Sequence, residues 1–149
     1  MEKAIKIYYA TPITGAWGDD APKAYVERNC GKAVKNLVLL RQWFPDVEWY
    51  SPAENDTLVQ VLFFAKKLSR EDILWADCEI IKTCDGLLAN CWETSDGVEK
   101  EVAFASEIKK PTLILGSYAD FDVADGRITM KQIEDFICII EKAIEKEDL

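Results

Sequence analysis

The chain has 149 residues, 49% hydrophobic and 30% charged, with a formal net charge of -9 and no histidine. That length and apolar content fit one globular domain over residues 1–149 with a single full core, and leave too little for two. The acidic balance excludes a nucleic-acid polymer as partner, because phosphate backbones need clustered Lys and Arg, and the missing histidine removes Ser-His-Asp and Cys-His nucleophile schemes along with the usual zinc sites.

Met1 is followed by a charged, strand-like start, and no apolar run reaches the roughly 18 residues of a membrane span. A soluble, cytoplasmic protein without signal peptide or membrane contact is therefore expected. Five cysteines (Cys30, Cys78, Cys84, Cys91, Cys138) are odd in number and never spaced C-x-x-C, so they read as reduced, mostly buried thiols. Neither a metal nor a cofactor is expected.

In chain order, Ile5–Ala10 (IKIYYA) reads as a strand running into the loop TPITGAWGDDAP. Pro22 opens a helix whose stripe is Val26, Cys30, Ala33, Val34, Leu37, Leu40 and Arg41, and Phe44-Pro45 stops it. Val47–Tyr50 is a second strand, closed by Ser51-Pro52. Asp56 is expected to cap a helix through LVQVLFFAKKL, apolar beyond the needs of a small domain and so a lid or a subunit interface. Ser69 with Asp72 predicts a capping arrangement for a helix striped by Ile73, Asp77, Ile80, Ile81 and Cys84. LLANC is a strand covered on both faces, a helix follows near Gly97, TLILG is a further strand, and a last amphipathic helix begins near Thr129. This alternation predicts a single-domain, three-layer α/β/α fold around a mainly parallel, Rossmann- or flavodoxin-like sheet. Ligands bind such sheets at the carboxyl ends of the strands.

Two carboxylates break the apolar pattern. In the helix near Gly97 the stripe Val98, Val102, Ala105 and Ile108 includes Glu101, whereas Glu99 lies on another face. Asp77 occupies the equivalent inward position on the preceding helix. A pair of half-hidden carboxyl groups near one crevice is suited to breaking a bond at an anomeric carbon, one attacking and one moving a proton, and burial raises the pKa of such groups. Asp96 reads as the N-cap with Glu99 as its capping-box partner. Ser95 and the amides after Gly97 offer a helix start suited to a hydroxyl or phosphate oxygen. Trp92 and Trp17 stand in loops at the expected mouth, where they can stack on a base or simply pack.

Three segments, IYYATPITG, ADCEIIKTCDGLLA and Ser95-x-Gly97-x-x-x-Glu101-x-x-x-Ala105, together resemble the nucleoside 2-deoxyribosyltransferase-like superfamily, which includes nucleoside 5'-monophosphate N-glycosidases. The resemblance runs from Ile7 to about Leu115. It implies that Glu101 is the nucleophile at C1', that Asp77 serves the base and its proton, and that Tyr8 positions the nucleophile. It also implies that Ser95 lies where phosphate-binding members hold the 5'-phosphate, and a homo-oligomer in which a neighbouring copy completes the pocket; with Ser95, the expected substrate-binding set is Gly97, Thr11, Gly15 and Trp92. Phosphate-binding members carry an arginine in the first loop, whereas here that loop reads TPITGAWGDD. The resemblance thus leaves nucleoside or nucleoside monophosphate, and transfer to a base or to water, as alternatives. Beside the enzyme stand a non-catalytic nucleotide-sensing module of the same fold and a flavodoxin-like phosphate binder.

Overall fold

The computed structural model describes residues 4–116 and 126–147. Strands β1 (Ile5–Ala10), β2 (Val47–Tyr50), β3 (Gly86–Asn90) and β4 (Thr112–Leu115) form one all-parallel sheet in the order β2-β1-β3-β4. Helices α1 (Lys23–Trp43), α2 (Asp56–Phe64), α3 (Arg70–Thr83), α4 (Asp96–Glu107) and α5 (Gly126–Glu147) connect or follow them, with 3-10 segments at Gly15–Asp20 and Pro52–Asn55.

The strand pleat sorts the core into two layers. Ile7, Tyr9 and Leu88 face Ala33, Leu37 and Leu40 of α1 and Ile133, Phe136 and Ile140 of α5. Tyr8, Ala10, Leu87 and Ala89 face the other way, onto Ile81 of α3 and Val98 and Ala105 of α4. This is a three-layer α/β/α sandwich, and burial of each such aliphatic side chain contributes about 1.5–3 kcal/mol. The chain leaves β1 toward β2 and crosses back to pair β3 on the far side of β1, Ala10 against Ala89. The carboxyl ends of β1 and β3 therefore flank the switch point of the sheet.

Several local expectations are corrected. Ser95, not Asp96, caps α4: its Oγ accepts from the Val98 amide, while Asp96 is exposed and paired with Lys100 at 2.9 Å. Asp56 is the first residue of α2 instead of its cap, and its carboxylate accepts from Gln60 at 3.2 Å. On α1 Val34 and Arg41 face solvent, and Asn29 and Asn36 take inward places beside Val26, Ala33, Leu37 and Leu40. Of the cysteines only Cys84 is buried; Cys30, Cys78 and Cys91 are partly covered and Cys138 is exposed. The capping box at Ser69 is present, with Asp72 N to Ser69 Oγ at 3.1 Å and Ser69 N to Asp72 Oδ2 at 3.0 Å. α5 begins three residues before Thr129, at Gly126, and residues 117–125 of the loop expected from Ser117 to Arg127 lie outside the described residues.

Candidate active site

Segments leaving the carboxyl ends of β1, β2 and β3 line an open cleft. The first supplies Thr11 and Thr14, the second Asp56, Gln60 and Phe63, and the start of α4 supplies Ser95, Gly97 and Glu101. α3 completes the wall with Asp77 and, at its first residue, Arg70. Glu101 and Asp77 thus meet at one hollow.

Glu101 is 6% exposed, because the helical period carries it inward with Val98 and Ala105. The Tyr8 hydroxyl donates a hydrogen bond to Glu101 Oε2. Tyr8 sits in the middle of the sheet on the α3/α4 face, so the strand itself fixes the direction of that bond. Burial first, then the nearby Asp77 charge, push the Glu101 carboxyl up to about 8, and the Tyr8 hydrogen bond opposes them. Burial alone raises Asp77 to about 6. Tyr8 is driven well above its ordinary value by burial and then by the Glu101 and Asp77 charges, so it remains a donor. Two interacting carboxyl groups that hold a proton near neutrality are equipped to exchange roles as acid and base.

Thr11 is 5% exposed and lines the cleft, yet its Oγ1 has no hydrogen-bond partner. A buried hydroxyl left unpaired carries a desolvation cost, which a ligand atom in the cleft can offset. The Ser95 Oγ, by contrast, already accepts from the Val98 amide, which uses one of its two lone pairs. Gly97 is on the cleft wall through its backbone at the first turn of α4.

Gly15 and Trp92 are not brought to the cleft wall. Gly15 has a φ of 58°, a left-handed conformation suited to glycine, and a Cβ there would collide with the Tyr25 hydroxyl. Trp92 packs against the α1/α5 layer, donates from Nε1 to Asn29 Oδ1 at 3.3 Å and lies under Lys32 Nζ, 5.8 Å from the ring centre. Trp17 is exposed and tilts against Tyr25.

Sequence reasoning missed Asn29, Asp56 and Arg70. Asn29 Nδ2 donates to Ile13 O at 3.0 Å and to Glu93 Oε1 at 2.8 Å, tying the loop after β1 to the loop before α4. Its place in the inward stripe of α1 was the available signal. Asp56 is half-buried on the cleft wall, and burial raises its carboxyl pKa against hydrogen bonds from Gln60 and Cys30. Arg70 reaches the cleft through contact with Asp19, 51 residues away, which no local pattern encodes. Among the described residues no three or more Cys, Asp or Glu side chains converge to hold a metal ion.

The fold and the cleft define a three-layer α/β/α protein with a hydrogen-bonded, buried glutamate at the switch point of a parallel sheet. In comparisons with known proteins, the chain matches no family model and no curated sequence. Among the described residues no helix is long and apolar enough to cross a membrane.

Proposed function

We propose that the protein breaks the N-glycosidic bond of a (deoxy)nucleoside or nucleoside monophosphate, as a member of the nucleoside 2-deoxyribosyltransferase-like superfamily. The single observation that carries this reading is the convergence of Glu101 and Asp77 on one cleft, with Glu101 buried and held by Tyr8. The ionised Glu101 carboxylate attacks C1' and forms an ester to the sugar. The C1'–N bond breaks, its electron pair goes to the base, and the base takes a proton from Asp77. A second base or a water molecule then attacks C1', gives its proton to Asp77 and releases Glu101 as the carboxylate.

Incubation with deoxynucleosides and their 5'-monophosphates is expected to release free base, detected by chromatography, and Glu101→Ala to abolish the release. No release from any substrate, or unchanged release in Glu101→Ala, overturns the reading. Thermal stabilisation by nucleotides without product, insensitive to Glu101→Gln, would instead mark a sensing module.

The same reading includes a homo-oligomer. Leu58, Val61 and Phe64 of α2 and Trp75 of α3 are exposed apolar side chains, and a second copy is their natural cover. Sedimentation is expected to show a dimer or larger assembly that Val61→Glu weakens; a monomer at all concentrations removes this part of the reading.

A further inference from the structure

Among the described residues lining the cleft, Arg70 is the one Lys or Arg, and it faces a wall that also carries Asp19, Asp56, Asp77 and Glu101. Its Nη1 bonds Asp19 Oδ1 at 3.0 Å, with side chains 35% and 58% exposed respectively. Gly18, with φ 59°, brings the loop backbone under the guanidinium: a Cβ there would stand 3.5 Å from Nη1. The Arg70 charge is felt at the first residue of α4 as well. Asp96 is held below the ordinary carboxylate range mainly by the Lys100 hydrogen bond and charge, and in smaller part by Arg70. The guanidinium thus lies against the loop after β1, in the same cleft that Ser95 and Gly97 of the α4 N-terminus and the unpartnered Thr11 hydroxyl line.

We infer that Arg70 is a specificity-determining residue: its guanidinium takes the phosphate of a nucleoside monophosphate, which displaces Asp19 and selects the nucleotide over the nucleoside. This rests on the glycosidic reading above for the nucleoside part of the ligand. Arg70 suits the role because its planar fork matches a phosphate with two parallel hydrogen bonds. Exchange is easy because an exposed ion pair contributes little to stability. The first loop, without an arginine of its own, contributes the displaceable partner instead. Ser95 Oγ accepts from the Val98 amide as the α4 cap and is neutral, so the discriminating charge comes from α3.

The test is titration calorimetry on the intact protein with dAMP, dGMP, dCMP and dTMP, the four matching deoxynucleosides, and inorganic phosphate. At least one monophosphate is expected to bind about ten-fold or more tightly than its nucleoside. Arg70→Gln should bring that monophosphate down to the affinity of the nucleoside without changing the latter, Arg70→Lys should keep part of the difference, and Asp19→Asn should strengthen monophosphate binding. Equal binding of nucleotide and nucleoside, or a preference that survives Arg70→Gln, overturns the inference. So does inorganic phosphate binding as tightly as the nucleotide, or binding of none of these compounds. The two readings fail separately. Base release without phosphate preference removes only the role of Arg70, and an Arg70-dependent preference without base release removes only the glycosidic chemistry.

Discussion

Tyr8 and Tyr9 are neighbours in β1, both fully buried, yet they point to opposite faces of the sheet and meet opposite chemistry. On the α1/α5 face the Tyr9 hydroxyl accepts from Asn36 Nδ2 and Asn90 Nδ2, each at 3.1 Å. On the α3/α4 face Tyr8 donates to a carboxyl group that has Asp77 for an electrostatic neighbour. Neutral amides around a phenol make an interior polar cluster with no charge to desolvate, although Asn90 Oδ1 within it has no hydrogen-bond partner. An acid enclosed beside a second one, as Glu101 is beside Asp77, costs more to ionise and stabilises nothing by itself. The contrast separates a neutral polar cluster that serves the fold from an acidic one whose cost the proposed chemistry would explain.

The sharpest way to break the comparison is to remove the acid. On the proposed reading, Glu101→Gln is expected to lower the rate of base release by about a thousandfold, measured in single-turnover experiments, because the attacking carboxylate is replaced. Tyr8→Phe comes next, with a loss of about ten- to a hundred-fold in kcat as Glu101 loses its donor. Tyr9→Phe should leave kcat/KM unchanged and cost about 1–3 kcal/mol in denaturant unfolding, since it strips a shared acceptor from two buried amides. A similar kcat loss for both tyrosines would erase the distinction.

The pH dependence sharpens it further. The kcat/KM profile should be bell-shaped, with inflections at about 6 and about 8 that belong to the Asp77–Glu101 pair. Removal of the Asp77 charge lowers the Glu101 pKa, and removal of the Tyr8 hydrogen bond raises it. Binding of a nucleoside competitive inhibitor should therefore titrate at lower pH in Asp77→Asn and at higher pH in Tyr8→Phe.

Stability follows the same group with the opposite sign from an ion-paired acid. The folded chain holds the Glu101 proton up to about 8 against an ordinary value of 4.5, so this contribution is whole below 4.5 and is lost as pH rises through 8. Glu101→Gln should accordingly stabilise the protein at pH 8 by on the order of 4 kcal/mol and have little effect at pH 4.5. The smallest expected effect is that of Ser95→Ala, about 1 kcal/mol for the lost cap.

Glu101 and Asp77 were legible because a charged residue in a helical apolar stripe contradicts the period that surrounds it. The same contradiction was present at Asn29 and Asn36, seven residues apart on the α1 stripe, but an amide among apolar neighbours is easily passed over for the nearby Val34. The cap of α4 was misplaced by one residue because Ser95 and Asp96 are both good capping types, and Glu99 completes a capping-box pattern only for the second. The Ser69–Asp72 box had no such competitor. Alternation of strand and helix sufficed for the parallel sheet, whereas the order β2-β1-β3-β4 and the arrival of Arg70 at the cleft depend on long-range contacts.

α2 packs chiefly on the short Pro52–Asn55 turn and none of its residues is buried. Unwinding it uncovers little additional apolar surface, so its amide protons should exchange with deuterium much faster than those of β1 and β3. Whatever settles against this helix, from the cleft side or from outside, will slow that exchange. α2 is thereby a built-in gauge of occupancy that needs no assay of turnover.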